Sequence, residues 1–252
     1  MTVSETRRRL STGHEVDLPL ELGFSIGGVT VPARRARLDR ALPDELAPLS
    51  IAPGVGCVAL VAIQYHRVGG DNGIEPYDEV AAIVPTVRGG RSSLPLGGLF
   101  GGEIGGYVHW LAVPTEESVA LGRELWGYPK ERAAVTVTDG PRGIRAVVGD
   151  GRSETVRIDV ARPQIGTRRR DWRLRSFTTR DRDLVRTRVD VEGEIAIGPP
   201  VGASVSVGPD AAPIRELGPW QRPLTRLYGS RVRARLFEGD PVDAVETARR
   251  NR

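Results

Sequence analysis

The sequence predicts one domain built mainly of β-strands, with one or two short helices. Three observations lead there: short alternating apolar runs recur along the chain, Asp-Gly turn signals separate several of them, and a single segment carries strong helix start and stop signals. At 252 residues the chain is long for one average domain, but β-rich barrels of about 200–250 residues are often single. No repeat period appears, and no Pro-, Gly- or Ser-rich linker splits the chain.

Residues 1–20 are polar and charged and are expected to form a flexible N-terminal arm or edge extension, leaving 21–252 as one domain. Ser25 to Arg37 predicts a strand followed by a basic turn, and Leu38 to Leu46 a short helix or turn interrupted by Pro43. Gly56 to Tyr65 is a dense apolar run of buried-strand length, and Val80 to Val84 suggests another strand. Residues 88–106 hold eight glycines in nineteen positions, a loop or hairpin of the length that is often functional. It lacks the GK[ST] ending of a phosphate loop, and no G-x-G-x-x-G fingerprint links a strand to a helix, so nucleotide binding is not expected.

Tyr107 to Val113 is the next strand. Thr115 then reads as an N-cap with Glu116 and Glu117 in the first turn, and the helix should end near Leu125, before Gly127 and Pro129. Downstream, AAVTVT, IRAVVG and ETVRIDVAR, separated by Asp139-Gly140 and Asp150-Gly151, predict a β-meander. LVRTRVDV, EIAIG, GASVSVG and RVRARLFE are candidate strands of the last third.

Composition narrows the function classes. With 39% hydrophobic residues the chain is not disordered, and no apolar run approaches the ~18–20 residues of a membrane helix. One cysteine, Cys57, excludes a disulfide framework and a cysteine-based zinc site; it reads as an inert core thiol in a reducing compartment. The N-terminal stretch has no apolar core of a signal peptide, so a cytoplasmic location is expected. His14, His66 and His109 show no i, i+3 or i, i+4 pairing, so no metal is expected. Arg168-Arg169-Arg170 beside Trp172 has the composition of a nucleic-acid patch. Such runs are common on solvated faces and no binding module surrounds this one, so no nucleic-acid partner is expected.

The charged residues contain one exception. All basic residues but Lys130 are arginine. Lysine, unlike arginine, can supply a neutral amine when desolvated. Lys130 is therefore either an ordinary surface lysine or a chemically used one. It ends the segment Gly122 to Lys130, GRELWGYPK, in which Leu125, Trp126, Tyr128 and Pro129 supply apolar bulk. Burial among such groups disfavours the ammonium and would lower its pKa from ~10.4.

That segment resembles the lysine motif of the acetoacetate decarboxylase family, G-R-E-x-x-x-Y/F-P-K, with Gly122, Arg123, Glu124, Tyr128, Pro129 and Lys130 matching. EPYDE, Glu75 to Glu79, resembles the aromatic-x-Glu that precedes a strand there. The resemblance implies a mainly β (α+β) fold, a curved antiparallel or barrel-like sheet with a few short helices enclosing a pocket. It also implies a homo-oligomer, no cofactor, and a small keto acid as substrate. Lys130 falls on the Schiff-base position and Glu79 on the catalytic glutamate, giving a lysine-imine carboxy-lyase in which Glu79 orients substrate and moves protons.

Three positions depart from the family pattern. Glu131 replaces a second lysine, although strand alternation would turn it from the pocket. An ungapped count from Glu79 puts the other acidic site residue on Gln64. The N-terminal substrate arginine falls on Phe24, with Arg34 or Arg35 as substitutes in another register. Gln64, Tyr77, Trp126, Tyr128 and His109 are the candidate substrate contacts; Tyr77 and Tyr128 read equally as core aromatics, and His109 reads sooner as a satisfied structural histidine. Decarboxylation of a β-keto acid is the leading reading. Aldolase-dehydratase or cyclase chemistry on another keto substrate, and a non-catalytic small-ligand binder, are the alternatives.

Overall fold

The computed structural model describes residues 6–70, 73–88, 103–149, 154–163 and 168–242. Strands β1 (Thr6–Arg9), β2 (Glu15–Leu18) and β3 (Leu20–Arg34) lead into helix α1 (Arg35–Ala41). Short β4 (Leu46–Pro48) and β5 (Ser50–Ala52) precede the long β6 (Val55–Val68) and β7 (Asp78–Arg88). Then come β8 (Glu103–Val113), α2 (Glu116–Trp126), β9 (Lys130–Arg132), β10 (Val135–Gly140), β11 (Gly143–Gly149) and β12 (Glu154–Ala161). A long hairpin, β13 (Arg168–Arg180) and β14 (Asp183–Gly198), is followed by β15 (Ala203–Val207), α3 (Ala212–Leu217) and β16 (Thr225–Pro241).

Strands β7, β6, β3, β16, β14, β13 and β8 pair in that order, and β8 pairs back to β7, closing a ring. Every joint is antiparallel except β13–β8, which is parallel and registers through Ser176 with Gly106 and Phe177 with Tyr107. Strands β10, β11, β12 and β15 form a second sheet. Its inward residues Val137, Ile144 and Ile158 pack on Val29, Leu60 and Val80 from one face of the ring. The ring's other face carries Leu22, Phe24, Val108, Val191, Val232 and Ala234, a second apolar cluster that also takes in α2 through Leu121 and Trp126. Strand alternation thus divides the molecule into an intersheet core and a barrel interior. This is the mainly β architecture that the lysine motif implied.

Several elements differ from expectation for identifiable reasons. Residues 6–18, inside the expected arm, pair as an antiparallel hairpin. Its polarity is one-sided: Leu10, Val16 and Leu18 are buried while the arginines face out. The first hairpin of the meander turns at Pro141-Arg142, not at Asp139-Gly140. Asp139 instead points inward, accepting from Ser25 Oγ and Tyr228 Oη at 3.0 Å and pairing with Arg162 at 2.8 Å. The basic run 168–173 is a strand on which Arg168, Arg169 and Arg173 are exposed and Arg170 is half-buried. LVRTRVDV and EIAIG are one strand, bent where its register with β16 shifts between Gly193 and Ala196. Of the glycine-rich segment, residues 89–102 lie outside the described residues, as does the Asp150-Gly151 turn.

Candidate active site

Helix α2 is built as its sequence signals require, and its end sets the site. Thr115 accepts from the Ser118 N–H, and Glu116 and Glu117 sit in the first turn. Gly127 takes the left-handed conformation, φ 68°, which turns the chain back. The N–H groups of Gly127 and Tyr128 then donate to the carbonyls of Arg123 and Gly122. Pro129 follows, and Lys130 enters β9, parallel to β8 and opposite Leu111.

The rest of the motif supports that lysine. Its stem crosses α2 at Gly122, where a Cβ would stand 2.5 Å from Lys130 Cδ and Cε. Arg123 Nε donates to the Lys130 carbonyl at 2.7 Å. Glu124 accepts from the Ser11 N–H at 3.0 Å, tying the β1–β2 hairpin to the helix.

Lys130 and Glu79 meet in the interior, each 4% exposed. Nζ lies 2.7 Å from Glu79 Oε2 and donates to Tyr77 Oη at 2.9 Å, 4.9 Å above the Tyr77 ring. Tyr65 Oη donates to Glu79 Oε1 at 3.3 Å. Among the described residues Oε2 makes no hydrogen bond besides this close contact with the ammonium. Burial alone would push the lysine's pKa down. The adjacent Glu79 carboxylate and Tyr77 hydroxyl outweigh it, and the amine is held above its ordinary range, as an ammonium. Burial pushes Tyr77 and Tyr128 up to about 12, so both hydroxyls stay protonated.

The pair borders a cavity of about 950 Å³ in the barrel. Glu79 and Tyr128 line it; Lys130 does not, and contacts it through Glu79. Alternation delivers Leu22, Phe24 and Ile26 from β3 and Val61, Ile63 and Tyr65 from β6. Leu227, Ala234 and Leu236 from β16 and Val189 and Val191 from β14 complete an apolar wall. Arg173, Arg175 and Arg186 of the β13–β14 hairpin also line it, with Ser176, whose hydroxyl is 2.7 Å from Tyr128 Oη.

The predicted residues divide accordingly. Lys130, Glu79, Tyr77 and Tyr128 come together. Trp126 does not reach the cavity; it is a core residue whose Nε1 donates to the Phe237 carbonyl at 2.7 Å. Gln64 lies on the wrong face: Ile63 is the residue opposite Glu79, and the Gln64 amide donates to the Val137 carbonyl in the second sheet at 2.8 Å. His109 is also turned away. It is the extra residue of a bulge between the Ala82–Trp110 and Ile83–Val108 pairs, and its Nε2 lies 3.0 Å from the Pro213 carbonyl and 2.7 Å from Glu216 on the α3 side.

Glu131 points outward to Trp110 Nε1, as alternation predicted. Phe24 lines the cavity, whereas Arg34 and Arg35 do not. Sequence reasoning missed Tyr65, Ser176 and the hairpin arginines. For Tyr65 a signal existed, two residues beyond Ile63 on an alternating strand; for the others, none did. Among the described residues no cluster of three or more His, Cys, Asp or Glu side chains is placed to hold a metal.

Comparison with known proteins gives concordant results. Residues 25–242 match the family model described as acetoacetate decarboxylase (ADC). Acetoacetate decarboxylase 1 of Bradyrhizobium diazoefficiens is 34% identical over 94 residues, which are 37% of this chain and 33% of that relative's length. Among solved structures, acetoacetate decarboxylase from Legionella pneumophila superposes with a TM-score of 0.64 at 17% identity, covering 89% of this chain and 87% of the other. The enduracididine biosynthesis enzyme MppR, complexed with the condensation product of pyruvate and imidazole 4-carboxaldehyde, superposes with a TM-score of 0.61 at 14% identity, covering 88% of each chain. At those identities the structural likeness concerns the fold.

Proposed function

The chain belongs to the acetoacetate decarboxylase family, and on that premise we propose that it is a Schiff-base-forming lyase that decarboxylates a β-keto acid through Lys130. The observation that carries this reading is the buried Lys130–Glu79 pair at the border of a cavity, 2.7 Å apart. A buried pair of opposite charges can neutralise itself by one proton transfer, which removes two charges from a low-dielectric site. As substrate displaces water, Glu79 takes a proton from the Lys130 ammonium and leaves a free amine.

The amine attacks the ketone carbon, and protonated Glu79 returns its proton to the carbinolamine oxygen, which leaves as water. The resulting protonated imine accepts the electron pair of the bond to the carboxylate. CO2 departs, and the enamine left behind is protonated at carbon. Water then hydrolyses the imine to the ketone and free lysine. Tyr77 steadies the nitrogen throughout, Tyr65 orients Glu79, and Arg173, Arg175 and Arg186 meet the substrate carboxylate in place of an N-terminal arginine.

A second reading keeps the imine and changes its fate, to aldol condensation with dehydration or to cyclisation. It is favoured by the lining, in which Glu79 is the one carboxylate among the described residues, Gln64 being an amide turned to the second sheet. Borohydride reduction in the presence of a panel of β-keto and α-keto acids, read by mass spectrometry, tests both. An adduct on Lys130 with CO2 release supports the first, and an adduct without CO2 the second. No adduct with any keto acid leaves neither standing.

A further inference from the structure

We infer that the keto substrate carries a long or bulky apolar group, so that a four-carbon keto acid is not what the cavity is shaped for. This deepens the imine reading and rests on it for the position of the carbonyl. Small-molecule cavities run from about 300 to 1,000 Å³ and the larger suit drug-sized ligands; this one, at about 950 Å³, is at the upper end. Its polar groups are unevenly divided among the strands. Glu79 and Tyr65 lie beside the amine, and Tyr128, Ser176 and the three arginines lie towards the β13–β14 hairpin, while β3 and β16 contribute only apolar side chains, including Leu22, Ile26, Leu227 and Leu236. A small keto acid held at Glu79 would leave that wall facing water, whereas an apolar tail would cover it.

Two residues mark this as a property of the chain itself. Phe24 sets an aromatic ring into that wall, packed edge-on against Tyr65 at 5.7 Å between centroids. Ala234, registered opposite Leu22, leaves room on a wall of otherwise larger side chains. The ligand class that fits is a keto acid whose carbonyl reaches Lys130 and whose substituent is an alkyl chain or a comparably large apolar ring system.

Probes that cannot form an imine separate the apolar site from the imine chemistry. Straight-chain carboxylates from butanoate to dodecanoate are titrated into the full-length protein by calorimetry, and methyl ketones of matching lengths are trapped with borohydride in parallel. Affinity is expected to rise about threefold to fourfold per added methylene until the cavity is filled. Ala234→Phe should flatten that dependence at least tenfold at the long end; if it does not fold by circular dichroism, Leu236→Trp fills the same wall from the next inward position. Affinity independent of chain length, or a gradient that both filling variants leave intact, overturns the inference even when short ketones are trapped. Graded carboxylate binding without trapping of any ketone sustains the apolar site and removes the imine reading.

Discussion

Gly122 and Lys130 occupy one packing site: the aliphatic stem of the lysine runs over the helix where a Cβ at residue 122 would lie 2.5 Å from two of its carbons. The glycine is therefore a channel for the lysine stem, and its cost to helix stability, up to about 1 kcal/mol relative to alanine, is the cost of that route. Gly122→Ala should recover part of that propensity and lose about 1–3 kcal/mol to overpacking. The net loss, up to about 2 kcal/mol, should lower the melting temperature by a few degrees. Adduct formation on Lys130 should fall at least tenfold, because the amine is displaced from Glu79. A variant that melts normally and traps keto acids at the wild-type rate would show that the stem has another path.

Removing the amine exposes the other half of the pair. Lys130→Met should abolish the borohydride adduct and cost about 3–5 kcal/mol, since it strands a buried carboxylate. Lys130→Met with Glu79→Gln should regain most of that stability while staying inactive. Chemical denaturation of the wild type, both single variants and the double variant measures the coupling directly.

The pair also sets an alkaline limit. The Lys130 pKa is raised in the folded state, so its contribution to stability is fully present below its unfolded value of 10.5 and is lost as pH rises towards the folded value. Tyr77 and Tyr128, raised from 10.0 to about 12, act in the same direction over pH 10 to 12. Urea unfolding between pH 9 and 11.5 should show stability declining above about pH 10. The Lys130→Met, Glu79→Gln variant should retain the tyrosine part of that decline and lose the remainder.

Tyr77→Phe removes a hydroxyl that accepts from the ammonium at 2.9 Å. The charged form loses support, so the lysine's pKa falls. The pH profile of adduct formation should move to lower pH by about one unit, the equivalent of one hydrogen bond to a charged group. A profile that stays in place while its amplitude drops would assign Tyr77 a packing role only.

Arg186 offers a test of carboxylate recognition. Arg186→Met should raise KM for the keto acid about tenfold or more, with a smaller change in kcat, because the guanidinium binds the ground state and transition state alike. Methyl ketone trapping, which needs no carboxylate partner, should change less than threefold.

What was legible in the sequence was local. The Thr115 cap, the Gly127 stop and the proline before Lys130 act through neighbours a few residues away, and the lysine's surroundings followed from them. Glu79 was found through the resemblance of EPYDE to the family's aromatic-x-Glu. Gln64 and His109 were misplaced because the face of a strand residue depends on pairing partners that a single sequence does not specify. Counting fifteen residues back from Glu79 reaches an even position, yet the register places odd-numbered Ile63 opposite it. One bulge at His109 likewise reverses the alternation along β8. The hairpin arginines were invisible for a related reason, since only ring closure brings β13 and β14 to the cavity.

The ring closes unevenly. Strands β13 and β14 are matched along thirteen residue pairs, whereas β13 meets β8 through two among the described residues. Ser176 stands on that short seam and holds Tyr128, so one panel of the chamber hangs on few rungs while the Lys130–Glu79 pair is anchored in β7 and beside α2. On the proposed reading, substrate range would diversify most easily there: altered side chains on the loosely stitched panel would reshape what the cavity admits, while the Lys130–Glu79 pair kept its geometry.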